Sequence, residues 1–225
     1  MRTVVHVDYD FPADLPEWAD DEVRSPPAVV DRFLAEFTEP GDVVLDPFAG
    51  FGTTLRVASE MDREAHGVEY ERKRVEYIRE RGGHGGNLVH GDTRELGELD
   101  LPPVDCVLTS PPWMVEGMET NPLQNYDGES DYGQYLDDMV DVFVDIADCL
   151  APDGVALVDA TTFDVDGQVT TLAWDFADAI GEPLDFDGEV VVAWETEGEP
   201  GPDGVDGTGF DHNYVLRFSK PGAAT

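Results

Sequence analysis

The sequence predicts an α/β domain with a mostly parallel sheet, helices on both faces and an antiparallel pair of strands at the C-terminal edge. Three observations predict it. Short apolar runs alternate with segments of helical period along most of the chain. Glycine and proline punctuate the alternation at Pro40-Gly41, Gly50-Phe51-Gly52 and Asp153-Gly154. The last two apolar runs, Glu189–Trp194 and Tyr214–Phe218, have no helical pattern between them, so they form a hairpin at the sheet edge.

The elements follow in order. Residues 1–24 are polar with scattered aromatics and read as an N-terminal extension. Pro26-Pro27 opens a helix whose apolar positions are Val29, Val30, Phe33, Leu34 and Phe37. Val43–Leu45 is a buried strand, and a helix runs from Thr53 to Met61. Ala65–Val68 is a strand, Arg72–Arg81 a helix, and the glycine run 82–86 a flexible break. Leu88–His90 and Cys106–Thr109 are the third and fourth strands. A loop from Met114 to Ser130 precedes a long helix, Tyr132–Leu150, and Asp153-Gly154 turns into the strand Val155–Val158. A helix near Thr171–Ile180 leads to the final pair, which brackets an acidic, glycine-rich surface loop at 196–213. One domain spans 25–220, with a short tail at 221–225.

The formal net charge is −37, from 50 acidic and 13 basic residues, while 41% of the chain is hydrophobic. That apolar content excludes an acidic disordered chain. An acidic surface over an ordinary core suits very salty solution, where self-repulsion is screened to a few ångströms. A halophilic archaeal cytoplasm is the expected setting. Six of the basic residues cluster as Arg63, Arg72, Lys73, Arg74, Arg79 and Arg81, and Glu71, Glu76 and Glu80 are their expected intrahelical partners. Two cysteines, Cys106 and Cys149, give neither a disulfide framework nor a metal site and read as core packing. No signal-peptide pattern and no long apolar run appear, so a membrane is not an expected partner.

Two motifs carry the chemistry. The first is Asp46-Pro47-Phe48-Ala49-Gly50-Phe51-Gly52-Thr53-Thr54, which follows the first strand. Its glycines permit a sharp turn and close backbone approach, and Thr53-Thr54 begins the next helix. It lacks the Gly-Lys-Ser/Thr of a phosphate loop. Glu69 ends the second strand, where an acid can accept from ribose hydroxyls. The second motif is Ser110-Pro111-Pro112-Trp113, at the end of the fourth strand. A serine oxygen and a proline-directed carbonyl can accept hydrogen bonds from a planar amino group, and an indole face can stack on a flipped base.

Together these motifs resemble the S-adenosylmethionine-dependent amino-methyltransferases of DNA (N4-cytosine and N6-adenine type). The resemblance implies a Rossmann-like class I methyltransferase domain with a seven-stranded sheet and S-adenosyl-L-methionine as cofactor. It implies that Asp46, Pro47, Phe48, Ala49, Gly50, Gly52, Thr53, Thr54, Glu69 and Asp92 hold that cofactor, Asp92 at the adenine amino group. Asp100 or a backbone contact is the alternative there. Arg24-Ser25-Pro26 loosely matches the segment that closes over the methionine end. Ser110, Pro111, Pro112 and Trp113 are the implied catalytic residues, without a covalent intermediate or a metal. His212 and Asn213 lie where a closing strand meets the base pocket, with edge-strand packing the simpler role.

The implied reaction is methylation of an exocyclic amine in DNA, cytosine N4 ahead of adenine N6, because a serine heads the motif. Two alternatives stand beside it: an RNA base methyltransferase, and a non-catalytic, cofactor-binding subunit of a larger complex. Both draw on one departure from the resembled pattern. Only the loops at 114–131 and 196–213 remain for target recognition, so a partner subunit is expected if the target is sequence-specific.

Overall fold

The computed structural model describes residues 2–11, 15–19, 24–81, 87–124, 128–165, 167–195 and 212–222. The glycine break at 82–86 and nearly all of the acidic loop at 196–213 lie outside them. The elements run β1 (Val4–Asp8), α1 (Pro27–Phe37), β2 (Val43–Asp46), α2 (Thr53–Glu60), β3 (Glu64–Glu69), α3 (Arg72–Glu80), β4 (Leu88–His90) and β5 (Val104–Thr109). They continue with α4 (Tyr132–Cys149), β6 (Leu150–Ala160), β7 (Phe163–Val165), β8 (Gln168–Thr170), α5 (Leu172–Ile180), β9 (Asp185–Glu195) and β10 (His212–Ser219).

The sheet order is β1-β9-β10-β6-β5-β2-β3-β4. Strands β4, β3, β2, β5 and β6 pair in parallel, and β10 runs antiparallel to both β6 and β9. Strands buried on both faces read as continuous apolar runs, which is why β2, β5 and β6 stand out in the sequence. Alternate residues divide between two cores. Leu45, Val107, Ala156, Val158 and Leu216 pack under α4 and α5. Val44, Cys106, Leu108, Leu157 and Val215 pack under α1, α2 and α3. Cys106 is a core residue whose thiol burial pushes up in pKa, and Cys149 is half-buried, pushed up to about 11 for the same first reason.

The sheet has eight strands, not seven. The extra one, β1, lies in the segment read as an extension and pairs in parallel with β9, Val4 opposite Val191 through Asp8 opposite Glu195. Val5 and Val7 point into the core while their neighbours face out. The closing pair β9–β10 is antiparallel as expected, but β1 covers its outer side. A second correction concerns Asp153-Gly154. β6 already begins at Leu150, and its register against β5 slips across Asp153-Gly154, from Leu150 opposite Val104 to Val155 opposite Cys106. Glycine is needed because a Cβ at 154 would stand 2.8 Å from the Val104 carbonyl oxygen. A third is the small hairpin β7–β8, inserted between β6 and α5 outside the main sheet.

Candidate active site

The carboxyl ends of β2, β3, β5 and β6 open into a cleft of about 770 Å³. Every predicted site residue except Gly52 lines it. Gly52 instead has φ 76° and lies so close to α3 that a Cβ would stand 2.9 Å from Ile78. Its role is to let the turn pack, and Gly50, with φ 54°, lines the cleft itself.

Two buried acids organise the turn. Asp46 Oδ1 accepts from the Thr109 hydroxyl at 2.7 Å and the Phe48 N–H at 3.1 Å, and the Thr54 hydroxyl is a third donor to the carboxylate. Burial raises the Asp46 carboxyl above its usual range, and these bonds pull it back. The Thr109 bond matters for assembly. It ties β5, whose last residue is followed by Ser110, to the strand that opens the glycine turn. Glu69 Oε2 accepts from Gly50 N–H at 2.8 Å and Oε1 from Glu71 N–H at 2.7 Å, with the Arg74 guanidinium 3.7 Å away. Its carboxyl is also raised, by burial first, against the lowering effect of those partners. The same acid therefore fixes the turn and presents its remaining lone pairs beside the cleft.

Asp92 lines the cleft, but its carboxylate is engaged. Arg94 grips it through Nε at 3.1 Å and Nη2 at 2.7 Å, and its Oδ1 also caps the following 3₁₀ turn through the Arg94 N–H. Thr93, next to it, donates to the Pro47 carbonyl and joins the β4 end to the glycine turn. Asp100 is exposed and outside the cleft lining.

Ser110 is exposed where β5 ends. Pro111 is buried behind it. The Pro112 carbonyl accepts from the Tyr135 hydroxyl of α4 at 3.0 Å. Trp113 is 44% exposed, so it is not a core residue, and its ring stacks on Phe163 at 4.7 Å and 29°.

Sequence reasoning missed a third buried acid. Asp159, near the end of β6, accepts from Ser25 Oγ at 3.1 Å and from the Asn213 amide at 3.0 Å, and all three line the cleft. The rule that selected Asp46 and Glu69, an acid closing an apolar strand, applies equally to Asp159. Asn213 belongs to an interior strand and faces the cleft, whereas His212 pairs with the Tyr214 hydroxyl. Burial pushes the Asp159 carboxyl up to about 6, against the opposing bonds from Asn213 and Ser25. The folded state thus favours the protonated acid, and this stability is present at pH 4 and lost as pH rises through 6. Against Asp159→Asn, which stays neutral, the wild-type protein should lose about 2 kcal/mol between pH 4 and 7.5. Denaturant titrations of both proteins at fixed salt measure it. A difference that does not change with pH would return Asp159 to the ordinary carboxylate range.

The cations of the basic cluster meet aromatic rings, carbonyls and Glu69. Lys73 lies over Trp18, Arg74 over Phe51 and Arg81 over Tyr77. Arg63 donates to Thr38 and the Met61 carbonyl, and Arg79 to the Leu88 carbonyl. These cations hold local structure together.

A family model described as DNA methylase matches residues 20–80. Over 51 residues the chain is 43% identical to the Type II methyltransferase M.BglII of Bacillus subtilis, covering 23% of this chain and 14% of that protein. Over 74 residues it is 36% identical to the DNA adenine methyltransferase YhdJ of Escherichia coli, covering 32% of this chain and 24% of that one. The match thus spans under a quarter of either curated relative. Among solved structures, a TehB-like SAM-dependent methyltransferase from Corynebacterium glutamicum superposes with a TM-score of 0.54 at 16% identity, over 85% of this chain and 86% of its own. An rRNA methylase from Streptococcus thermophilus does so with a TM-score of 0.55 at 12% identity, over 88% and 98%. The fold is that of the S-adenosylmethionine-dependent methyltransferases, and the match at 20–80 falls on the segment that holds the glycine turn and Glu69.

Proposed function

We propose that this protein transfers a methyl group to an exocyclic amine of a nucleic-acid base in DNA, cytosine N4 first and adenine N6 second. One observation carries the reading. Ser110-Pro111-Pro112-Trp113 lines the same cleft as the glycine turn, and the Thr109–Asp46 hydrogen bond locks the two motifs together. The cleft suits S-adenosylmethionine. Glu69 offers a ribose acceptor, Gly50 leaves the backbone uncovered, and Arg24, Ser25 and Pro26 line the wall where the methionine end would lie. Bound there, the cofactor supplies a methyl group activated on a sulfonium centre.

The chain's own residues position the amine. An exocyclic nitrogen is a poor nucleophile because its lone pair is delocalised into the ring. The Ser110 hydroxyl oxygen and the Pro111 carbonyl accept its two hydrogens, which favours a pyramidal nitrogen with its lone pair directed along the line of transfer. Trp113 holds the base by stacking. The surplus proton leaves the methylated nitrogen for solvent. Asp92, held by Arg94, contributes less to an adenine amino group than an open carboxylate would.

The acidic charge supports a salt-rich setting, where phosphate contacts weaken and pocket contacts carry more of the binding. No helix among the described residues is long and apolar enough to cross a membrane. An RNA base is the second reading, and the shared fold of an rRNA methylase keeps it in the test. Incubation at molar salt with labelled cofactor and separate DNA, tRNA and rRNA pools, followed by mass spectrometry of nucleosides, decides. We expect label in DNA as N4-methylcytosine. Label only in RNA overturns the DNA assignment, and bound cofactor with no label in any pool supports a subunit of a larger complex.

A further inference from the structure

We propose that Asp159 and Asn213 select the target base, Asp159 by meeting the ring nitrogen beside the target amine and Asn213 by meeting the O2 of cytosine; this rests on the methyltransferase reading above. The two residues belong to β6 and β10, which follow β5 in the sheet. Strand β5 pairs with β6 up to Thr109 opposite Val158, so one step further on Ser110 and Asp159 stand side by side at the carboxyl edge. Adjacent strands lie about 4.8 Å apart. Strand β10 brings Val215 opposite Asp159, and Asn213, two residues away on the same face, donates its amide to Asp159 Oδ1 at 3.0 Å. All three residues line the cleft.

Their hydrogen-bonding capacity is only partly used. Asp159 Oδ1 accepts from Asn213 and Oδ2 from the Ser25 hydroxyl, both neutral donors, and no cation among the described residues pairs with the carboxyl. The titratable neighbour that feels its charge is the Tyr9 phenol. A buried carboxyl without a cation holds a proton readily, and a base closing over it removes more water and favours the neutral acid further. The acid then offers an O–H to the cleft. Asn213 keeps a second amide hydrogen that has no partner among the described residues. Along the sheet edge the row is therefore acceptor at Ser110, donor at Asp159 and donor at Asn213. Cytosine presents the complement: from N4 through N3 to O2 its edge runs donor, acceptor, acceptor, and an extracted base is recognised through that edge. Adenine matches the first two places with N6 and N1 but puts C2–H in the third, which leaves the Asn213 donor unmatched. A site built to hydrogen-bond rejects a ligand that lacks the partner.

The test removes the ring nitrogen from the substrate and the donor from the protein. Random-sequence DNA duplexes are made with deoxycytidine or with 3-deazadeoxycytidine, which carries a C–H in place of N3. Its weaker pairing with guanine makes extraction easier, so a lower rate cannot come from the duplex. With labelled S-adenosylmethionine, wild-type kcat/KM should be at least about ten-fold lower on the deaza pool. Asp159→Ala should be slower on the ordinary pool and treat both pools alike within about two-fold. Asp159→Asn, whose amide can donate to N3, should restore the preference. Asn213→Ala should raise the ratio of N6-methyladenine to N4-methylcytosine by about ten-fold or more. Equal wild-type rates on the two pools, a preference that survives in Asp159→Ala, an Asp159→Asn protein without it, an unchanged base ratio in Asn213→Ala, or wild-type label on adenine alone overturns the selection. A wild-type protein that labels no DNA overturns the DNA-methyltransferase reading itself and this inference with it.

Discussion

Ser110→Ala is expected to lower single-turnover methyl transfer by a factor on the order of 10²–10³, the scale for losing one preorganised hydrogen-bonding group at a reacting centre. Cofactor affinity should barely change, because the hydroxyl lies at the exposed end of β5 and the Thr109–Asp46 bond behind it is retained. Trp113→Ala makes the companion measurement. It should weaken the base's hold by about 1–3 kcal/mol through lost stacking. Stability should fall by only about 0.5–1.5 kcal/mol, the value of its ring pair with Phe163. A fully buried tryptophan would cost about 3–5 kcal/mol on truncation. Thermal melts and single-turnover rates at matched high salt separate these outcomes. A Ser110→Ala protein with full activity would end the claim that the tetrapeptide is catalytic.

Glu69→Ala is expected to injure both the fold of the glycine turn and its ligand. The carboxylate satisfies the N–H groups of Gly50 and Glu71, and it stands 3.7 Å from Arg74. Removing it takes the acceptor from two backbone donors and from the cofactor's ribose together. Charged hydrogen bonds of this kind contribute about 1.5–3 kcal/mol each, so cofactor affinity should fall about ten-fold or more and the melting temperature should drop with it. Isothermal titration beside a denaturant curve reads the two effects separately. Affinity equal to wild type would take Glu69 out of the cofactor site, and a loss of affinity at full stability would mean that the turn holds without it.

What the sequence showed followed the range of the interactions involved. β2, α2, β3 and β5 are legible because each is fixed by its own apolar pattern and by the residue that ends it. Asp46 and Glu69 could be singled out for the same reason. β1 was not legible. Five residues with two inward valines become a strand only beside Val191–Glu195, a partner at the far end of the chain. Asp153-Gly154 read as a turn because the dipeptide favours one locally, and the Val104 carbonyl that makes it a bulge lies on another strand. Asp92 illustrates a finer limit. Its place at a strand end was readable, but the guanidinium two residues on that engages it was not. The β7–β8 hairpin is three residues a side and has no period long enough to register.

The pairing of β1 with β9 also sets an order of assembly. Strand β1 is hydrogen-bonded to β9, an element far along the chain from it. Until Asp185–Glu195 has been made, Val5 and Val7 have no groove to enter, and loop closure over nearly the whole chain must precede their burial. At about 5–20 residues per second this interval lasts many seconds. The central strands β2, β3, β5 and β6 can meet during that time, since their partners lie closer in sequence. Strand β1 is thus the closing seam of this fold, and it cannot be sealed before β9 has been made. Until then the growing chain relies on its repelling negative charge, carried by Asp8, Asp10 and the acids that follow, to keep an open apolar edge from meeting another copy.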